Sequence, residues 1–259
     1  MIAIDRLCYN SKLRKKNGGV KFAYAVITLL ICVISRSPAA ALVVLAVNGW
    51  LTVKKGGVKF REYRKFMAIP LIFMILSTLA IVVNLADAPL DLFAVRLGSR
   101  YLTGRRQGLG YALGLILTAM ASVSCLYFLA MTTPMPDILE VLRRLHCPRL
   151  LSELMLLIYR YIFVLMDTAS NIRISQACRL GNKDYRTSIK SFADLGAVLM
   201  MRAIARSRAL YEAMEARCYD GTIQVLTEGS PPERRDIIWM CVFEGSLTVL
   251  AFGRLFLWT

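Results

Sequence analysis

Two stretches of this chain carry no charge at all, Met67 to Ala86 over twenty residues and Leu109 to Met131 over twenty-three. Either reaches the roughly 20 residues that a helix needs to cross about 30 Å of hydrocarbon. A soluble core helix can be this apolar, but two such runs in a chain of 259 residues point to a membrane protein. Composition agrees: the hydrophobic fraction is 57%, against roughly 45–50% in ordinary soluble domains. The expected class is all-α, a polytopic membrane protein with about five transmembrane helices and a cytoplasmic part of three amphipathic helices.

The boundaries follow from where charge resumes. Residues 1–21 are polar and basic. Residues 22–131 hold four spans, the first two being Phe22 to Ile34 and Ala39 to Val53, a helical hairpin turned by Ser35-Arg36-Ser37-Pro38. Residues 132–236 have no spanning run and read as cytoplasmic. Residues 237–259 hold the last span, from about Ile237 to Trp258, with Glu244 and Arg254 inside it. Charges at such depth cost several kcal/mol unless they are paired, snorkelled or turned to the protein interior. Arg254 is expected to snorkel and Glu244 to face a neighbouring helix. The N-terminus and the Lys54–Phe66 loop each carry six basic residues against one acidic. The first turn has only Arg36, and the third loop sets Arg96, Arg100, Arg105 and Arg106 against Asp87 and Asp91. Basic loops stay inside, so the N-terminus, the second loop and residues 132–236 are expected in the cytoplasm, and the protein in the cell membrane.

The net charge of +16 thus needs no nucleic acid. Aromatic and basic residues are not interleaved as in single-strand binders, so only the lipid bilayer and protein partners are expected. The seven cysteines (Cys8, Cys32, Cys125, Cys147, Cys178, Cys218, Cys241) contain no C-x-x-C pair. That pattern makes neither a zinc site nor a disulfide framework, and reads as reduced thiols packed as small hydrophobes. The first apolar run begins only after Lys21 and continues into a second, unlike a cleavable signal peptide.

The cytoplasmic segment has three helical signatures. Thr133-Pro134 reads as an N-cap with proline at N1, followed by an apolar face of Ile138, Leu139, Leu142 and Leu145, with Pro148 ending the run. A second helix, about 149–180, carries Leu154, Leu157, Tyr161 and Leu165 at three- and four-residue steps, with Gly181 as its C′ stop. A third, about 188–217, carries Leu195, Leu199, Leu210 and Met214, and spaces Arg208 and Glu212 for a surface pair. Helices of about thirty residues span roughly 45 Å, and these are too charged to cross the bilayer. Both end alike, in Ala177-Cys178-Arg179-Leu180 and Ala216-Arg217-Cys218-Tyr219. A cation suits any helix C-terminus, but two such tips also offer rigid guanidinium forks to carboxylates on partner proteins.

The order of motifs resembles one family closely. Ile4-Asp5-Arg6, Tyr9, Leu13-Arg14, Asn17 and Lys21 open the match. Leu129 to Pro134 (LAMTTP), Leu142-Arg143-Arg144-Leu145, Pro148, Glu153-Leu154 and Tyr159 to Leu165 continue it. Arg206-Ser207 through Ala213-Met214, Ala216-Arg217, Tyr219, Asp220 and Gly221 are its most specific part. The sequence is similar to the transmembrane T component of energy-coupling factor transporters, of the cobalt/nickel type called CbiQ. The resemblance implies a complex with two ABC-type ATPase subunits and a CbiM-like substrate-binding S component. It also implies that an alanine-arginine-small-residue motif ends each coupling helix, with the arginine seated in an ATPase groove. Carried over, the docking residues are Ala177, Cys178, Arg179 and Leu180, with Ala216, Arg217 and Cys218. Cys178 stands where the family usually has alanine, and Cys218 where it has glycine. A left-handed cap costs Cys218 more than glycine.

Two other classes fit the sequence less well. An enzyme needs a nucleophile, a metal site or a carboxylate set. His146 is the only histidine and reads as a cap or packing group before Cys147-Pro148. Asp5, Asp137, Asp167, Asp184 and Asp220 lack metal-ligand spacing, and no Walker-type G-x-x-x-x-G-K-[ST] stretch exists. Catalytic residues, cofactors and resident metal are therefore not expected, and ATP hydrolysis is assigned to partners. A stand-alone permease needs polar groups through several spans. Asn48, Ser77, Thr78, Thr118, Ser122, Ser124 and Glu244 are the candidates, and small polar residues more often pack helices together.

Overall fold

A computed structural model describes residues 3–35, 37–86, 94–97, 100–104, 106–221 and 231–256. Asp87, Asp91, Arg105 and Trp258 lie outside the described residues, as does the side chain of Arg254. Two compact units divide the chain: residues 1–138 with 228–259, and residues 139–227.

The first unit is a helical bundle. It is built from α1 (Ala3–Asn10), α2 (Gly18–Ser35), α3 (Pro38–Trp50), α4 (Phe60–Val82), α5 (Arg106–Thr132) and α9 (Arg234–Phe256). The expected Ser/Pro hairpin is present, with Ser37 in extended conformation and Pro38 at the first helical position of α3. By length and composition, the segments Gly18–Ser35 and Gly110–Thr132 are each apolar enough to cross a bilayer. One of its core clusters is made mostly of small residues. Cys32, Ala41, Val44, Ala121 and Cys125 pack with Leu247, each 1% exposed or less. In lipid there is little hydrophobic force between helices, so close backbone approach over small side chains supplies the packing energy.

The third span departs from expectation. α4 stops at Val82, and Val83–Ala86 is a strand rather than the end of an apolar helix. It joins a three-stranded antiparallel sheet in the order Val83–Ala86, Arg100–Gly104, Ala94–Leu97, with Val83 opposite Gly104 and Ala94 opposite Thr103. The β-branched run Ile81-Val82-Val83, followed by Asn84, is a weak helix former and a good strand former. Absence of charge does not reveal that change of period.

The helix expected after residue 132 also starts later than its signature suggests. The Thr133 N–H donates to Leu129 O at 3.0 Å, so Thr133 continues the ladder of α5. Pro134 O then accepts the first bond of α6 (Met135–Arg144), from Ile138 N–H. Proline therefore occupies the cap position and Thr133 does not.

The second unit is dominated by α7 (Arg149–Cys178) and α8 (Tyr185–Glu215), of 30 and 31 residues. Among their described residues only Leu195 is buried. Leu157, Tyr161, Leu165, Leu199, Leu210 and Met214 are half-buried, whereas Leu154 is exposed. The apolar arc is wider than the stripe read from spacing. Ile158, Ile162 and Met166 on α7, with Phe192, Met200 and Ile204 on α8, are bare. No ion pair joins Arg208 to Glu212 among the described residues; the i,i+4 pair that forms is Arg144 with Glu140 on α6.

Candidate functional site

The two arginine motifs adopt one backbone geometry. At the end of α7, Leu180 is left-handed at φ 59°. Its N–H donates to Ala177 O at 3.1 Å, and the Gly181 N–H donates to Gln176 O at 2.8 Å. At the end of α8, Cys218 is left-handed at φ 56°. Its N–H donates to Glu215 O at 2.9 Å, and the Tyr219 N–H donates to Met214 O at 3.1 Å. Both are Schellman caps, which satisfy carbonyls otherwise orphaned at a helix end. In each, the arginine is the residue immediately before the left-handed one, so Arg179 and Arg217 occupy the same step of the same motif. Both are exposed, as are Ala177, Cys178, Ala216 and Cys218.

The sequence pattern makes Gly181 the left-handed stop, and the structure moves that role to Leu180. Gly181 is small for a different reason. A Cβ there would meet both Gln176 O and Ser191 Oγ at 2.8 Å. The Ser191 hydroxyl donates to Gly181 O at 2.8 Å, and the Gln176 amide donates to Ser191 O at 2.7 Å. These bonds fasten the end of α7 to the beginning of α8. A left-handed non-glycine residue costs about 1–2 kcal/mol, and Cys218 adopts the conformation that favours glycine despite this. α6 ends in the same cap with His146 left-handed at φ 65°, so that histidine serves as a backbone cap.

A bond also joins the two helices at the opposite end of the hairpin. The Tyr219 phenol donates to Glu153 Oε2 at 2.9 Å. Donation to that carboxylate raises the phenol above its usual range, because the bond and the nearby negative charge both favour the neutral form. Arg217 therefore lies beside the first turns of α7, while Arg179 lies at its far end. Twenty-six residues separate Glu153 from Arg179 on a helix rising 1.5 Å per residue, so the tips stand roughly 40 Å apart.

Within the bundle, polar side chains pair with one another. The Thr28 hydroxyl lies 2.6 Å from Glu244 Oε1, and Glu244 is 9% exposed. Glu244 faces α2, as expected of a carboxyl at that depth. The Tyr24 phenol donates to Asn48 Oδ1 at 2.8 Å, and Asn48 Nδ2 donates to Cys125 Sγ at 3.1 Å. The Tyr63 phenol lies 3.4 Å from Ser124 Oγ. α2, α3, α4, α5 and α9 each contribute, so these groups join helices. Among the described residues no three His, Cys, Asp or Glu side chains are grouped to hold a metal.

One end of the bundle gathers the segments that charge counting assigns to one side. The Ser11 hydroxyl and the Lys12 N–H donate to Gly56 O at 3.0 and 3.2 Å. Buried Lys21 donates to Leu13 O at 3.1 Å and to Thr132 O at 2.9 Å. Lys16 Nζ lies 2.6 and 2.7 Å from the two carboxylate oxygens of Asp236. The N-terminal segment, the second loop, the end of α5 and the beginning of α9 thus share a face.

An apolar bundle with polar side chains paired across its helices, together with a second helical unit whose two long helices end in exposed arginines, defines a helical membrane component. A profile of the CbiQ family, cobalt transport protein, matches residues 9–228. An uncharacterised protein of Methanocaldococcus jannaschii is 32% identical over 249 residues, 96% of this chain and 92% of that one. The cobalt transport protein CbiQ of Salmonella typhimurium is 26% identical over 85% of this chain and 98% of its own. A putative fused cobalt transport protein CbiMQ of Methanocorpusculum labreanum is 29% identical over 87% of this chain and 38% of that longer protein. The chain belongs to the CbiQ family of cobalt transport proteins and is a membrane component of cobalt transport.

Proposed function

We propose that this chain is the transmembrane coupling subunit of an energy-coupling factor importer for cobalt or nickel. Two ABC-type ATPases dock on Arg179 and Arg217, and a CbiM-like S component packs on the bare apolar arc of α7 and α8. Five spans hold the protein in the cell membrane, with the N-terminus and residues 132–236 in the cytoplasm. The chain itself hydrolyses no ATP; nucleotide-driven closure of the ATPase pair shifts the two tips, and the long helices carry that motion to the substrate subunit.

The observation that carries this reading is the identical cap geometry of the two arginines at tips roughly 40 Å apart. A cation favoured only by the helix dipole needs no particular step of a cap, whereas two docking arginines seating in two copies of one groove need the same presentation twice. The fused relative supports the S component, since its name joins CbiM and CbiQ in one chain.

The test is charge reversal in the assembled complex. Arg179→Glu and Arg217→Glu are each expected to weaken ATPase association by about 2–5 kcal/mol, roughly thirtyfold or more. The double reversal abolishes metal uptake, and Arg202→Glu, away from the tips, does neither. Full uptake with ATPases still co-purifying in the double reversal would refute the docking role.

A further inference from the structure

Two kinds of lysine stand side by side at the end of the bundle that holds the N-terminal segment. Lys16 is saturated, with both oxygens of Asp236 in hydrogen-bond range and Glu233 at 3.9 Å. Lys12, Lys54, Lys55 and Lys59 are exposed, and among the described residues none of them meets a carboxylate.

These four converge on one turn. α3 widens into a π-helical turn, Leu51–Lys55, which carries Lys54 and Lys55, and Lys59 follows after Gly56-Gly57-Val58. The N-terminal segment is bonded to this turn at Gly56 O. Gly57 has φ +75°, and a Cβ built there would lie 3.6 Å from Lys12 Cγ. The stem of Lys12 therefore covers the turn from which the other three project. Four like charges in so small an area repel one another, and among the described residues no carboxylate forms an ion pair with any of them.

The surroundings fix which anion fits. Lys55 Nζ lies over two indoles, 5.6 Å from the Trp50 ring centre and 5.2 Å from that of Trp239. The two rings come from α3 and α9 and are 51% and 39% exposed. Phe60, next to Lys59, is also exposed. Exposed indoles at the ends of apolar helices sit at the headgroup level of a bilayer. A cationic cluster at that level, rimmed by rings that accept acyl chains, meets lipid phosphate before it meets a soluble anion. We propose that the turn bearing Lys12, Lys54, Lys55 and Lys59, flanked by Trp50 and Trp239, binds the headgroup of an anionic phospholipid.

The site is tested on the full chain in phosphatidylcholine vesicles carrying a minor fraction of brominated phosphatidylglycerol or, in parallel, brominated phosphatidylcholine. A Trp258→Phe background leaves Trp50 and Trp239 as the only tryptophans. The anionic lipid is expected to quench their fluorescence more at equal fraction. That preference falls by up to about fivefold for each Lys→Gln change, the equivalent of ~1 kcal/mol per basic residue near an anionic surface. It vanishes in the quadruple Gln variant, survives in the quadruple Arg variant and in Lys16→Gln, and weakens with salt. Circular dichroism checks that each variant keeps its helix content. Equal quenching by both lipids in the parent protein overturns the proposal, as does an unchanged preference in the quadruple Gln variant. Removal of the preference by millimolar inorganic phosphate at constant ionic strength reassigns the site to a free anion and also overturns it. Loss of ATPase co-purification from the quadruple Gln variant with its lipid preference intact reassigns the patch to a protein partner, which overturns the proposal as well.

Discussion

The bundle and the long helix pair solve the same problem in opposite ways. In the bundle, helices pack over buried small residues beside larger aromatic and methionine side chains, and several of the polar groups taken inside meet one another across five helices. Along α7 and α8 only Leu195 is buried, and an apolar arc wider than their own stripe is left bare. Helices in proteins draw most of their stability from packing an amphipathic face. A pair that covers so little of its own arc leaves apolar side chains open, whereas the bundle packs its interior.

The contrast is open to direct attack, and cysteine chemistry gives the largest expected effect. Cys178 and Cys218 are exposed, whereas Cys8 is buried and burial pushes its thiol up to about 12. Maleimide labelling of the isolated chain at neutral pH, read by mass spectrometry, should find both tip cysteines modified and Cys8 slower by at least roughly a hundredfold. Comparable rates would mean the bundle is not closed at α1.

Next come paired truncations. Leu247 is fully buried in the bundle core, so Leu247→Ala should cost about 2–5 kcal/mol of stability in detergent. Phe192→Ala on the bare arc should change the isolated chain by less than about 0.5 kcal/mol. Equal losses would erase the distinction between the units. Thr28→Val removes the hydroxyl that meets Glu244, for which inter-helix bonds in membranes suggest about 0.6–1.7 kcal/mol. A neutral result would show that Glu244 finds another partner. The smallest effect sharpens the description of a tip. Cys218→Gly relieves a left-handed side chain and should stabilise the end of α8 by about 1 kcal/mol, read as roughly fivefold slower amide exchange at Tyr219. Unchanged exchange would mean the cap is not strained.

How far the fold is legible depends on the length scale of the signal. The Ser37-Pro38 turn, the two long helices and the arginine tips are readable because proline placement, three- and four-residue spacing and repeated end motifs are local. The strand at Val83–Ala86 escapes because hydropathy averages over a window and does not register that Arg100–Gly104 offers a ladder partner. Spacing assigns the left-handed residue to Gly181 because glycine adopts that conformation cheaply. The contact of Gln176 O and Ser191 Oγ with Gly181 shows that its missing Cβ is needed for close approach. Spacing alone does not show that Leu154 lies on the open side of α7.

The sequence by itself determined that this protein lives in a membrane, that helices build it and that two arginines end its longest helices, because each of those rests on residues adjacent in the chain. Only the tertiary structure decided that the arginines share one cap geometry at opposite ends of a hairpin, that Glu244 meets Thr28, and that four lysines crowd one turn while Lys16 is neutralised by Asp236. Those relations join residues up to 220 positions apart, and distances of that kind are set by packing rather than by any local preference of the chain.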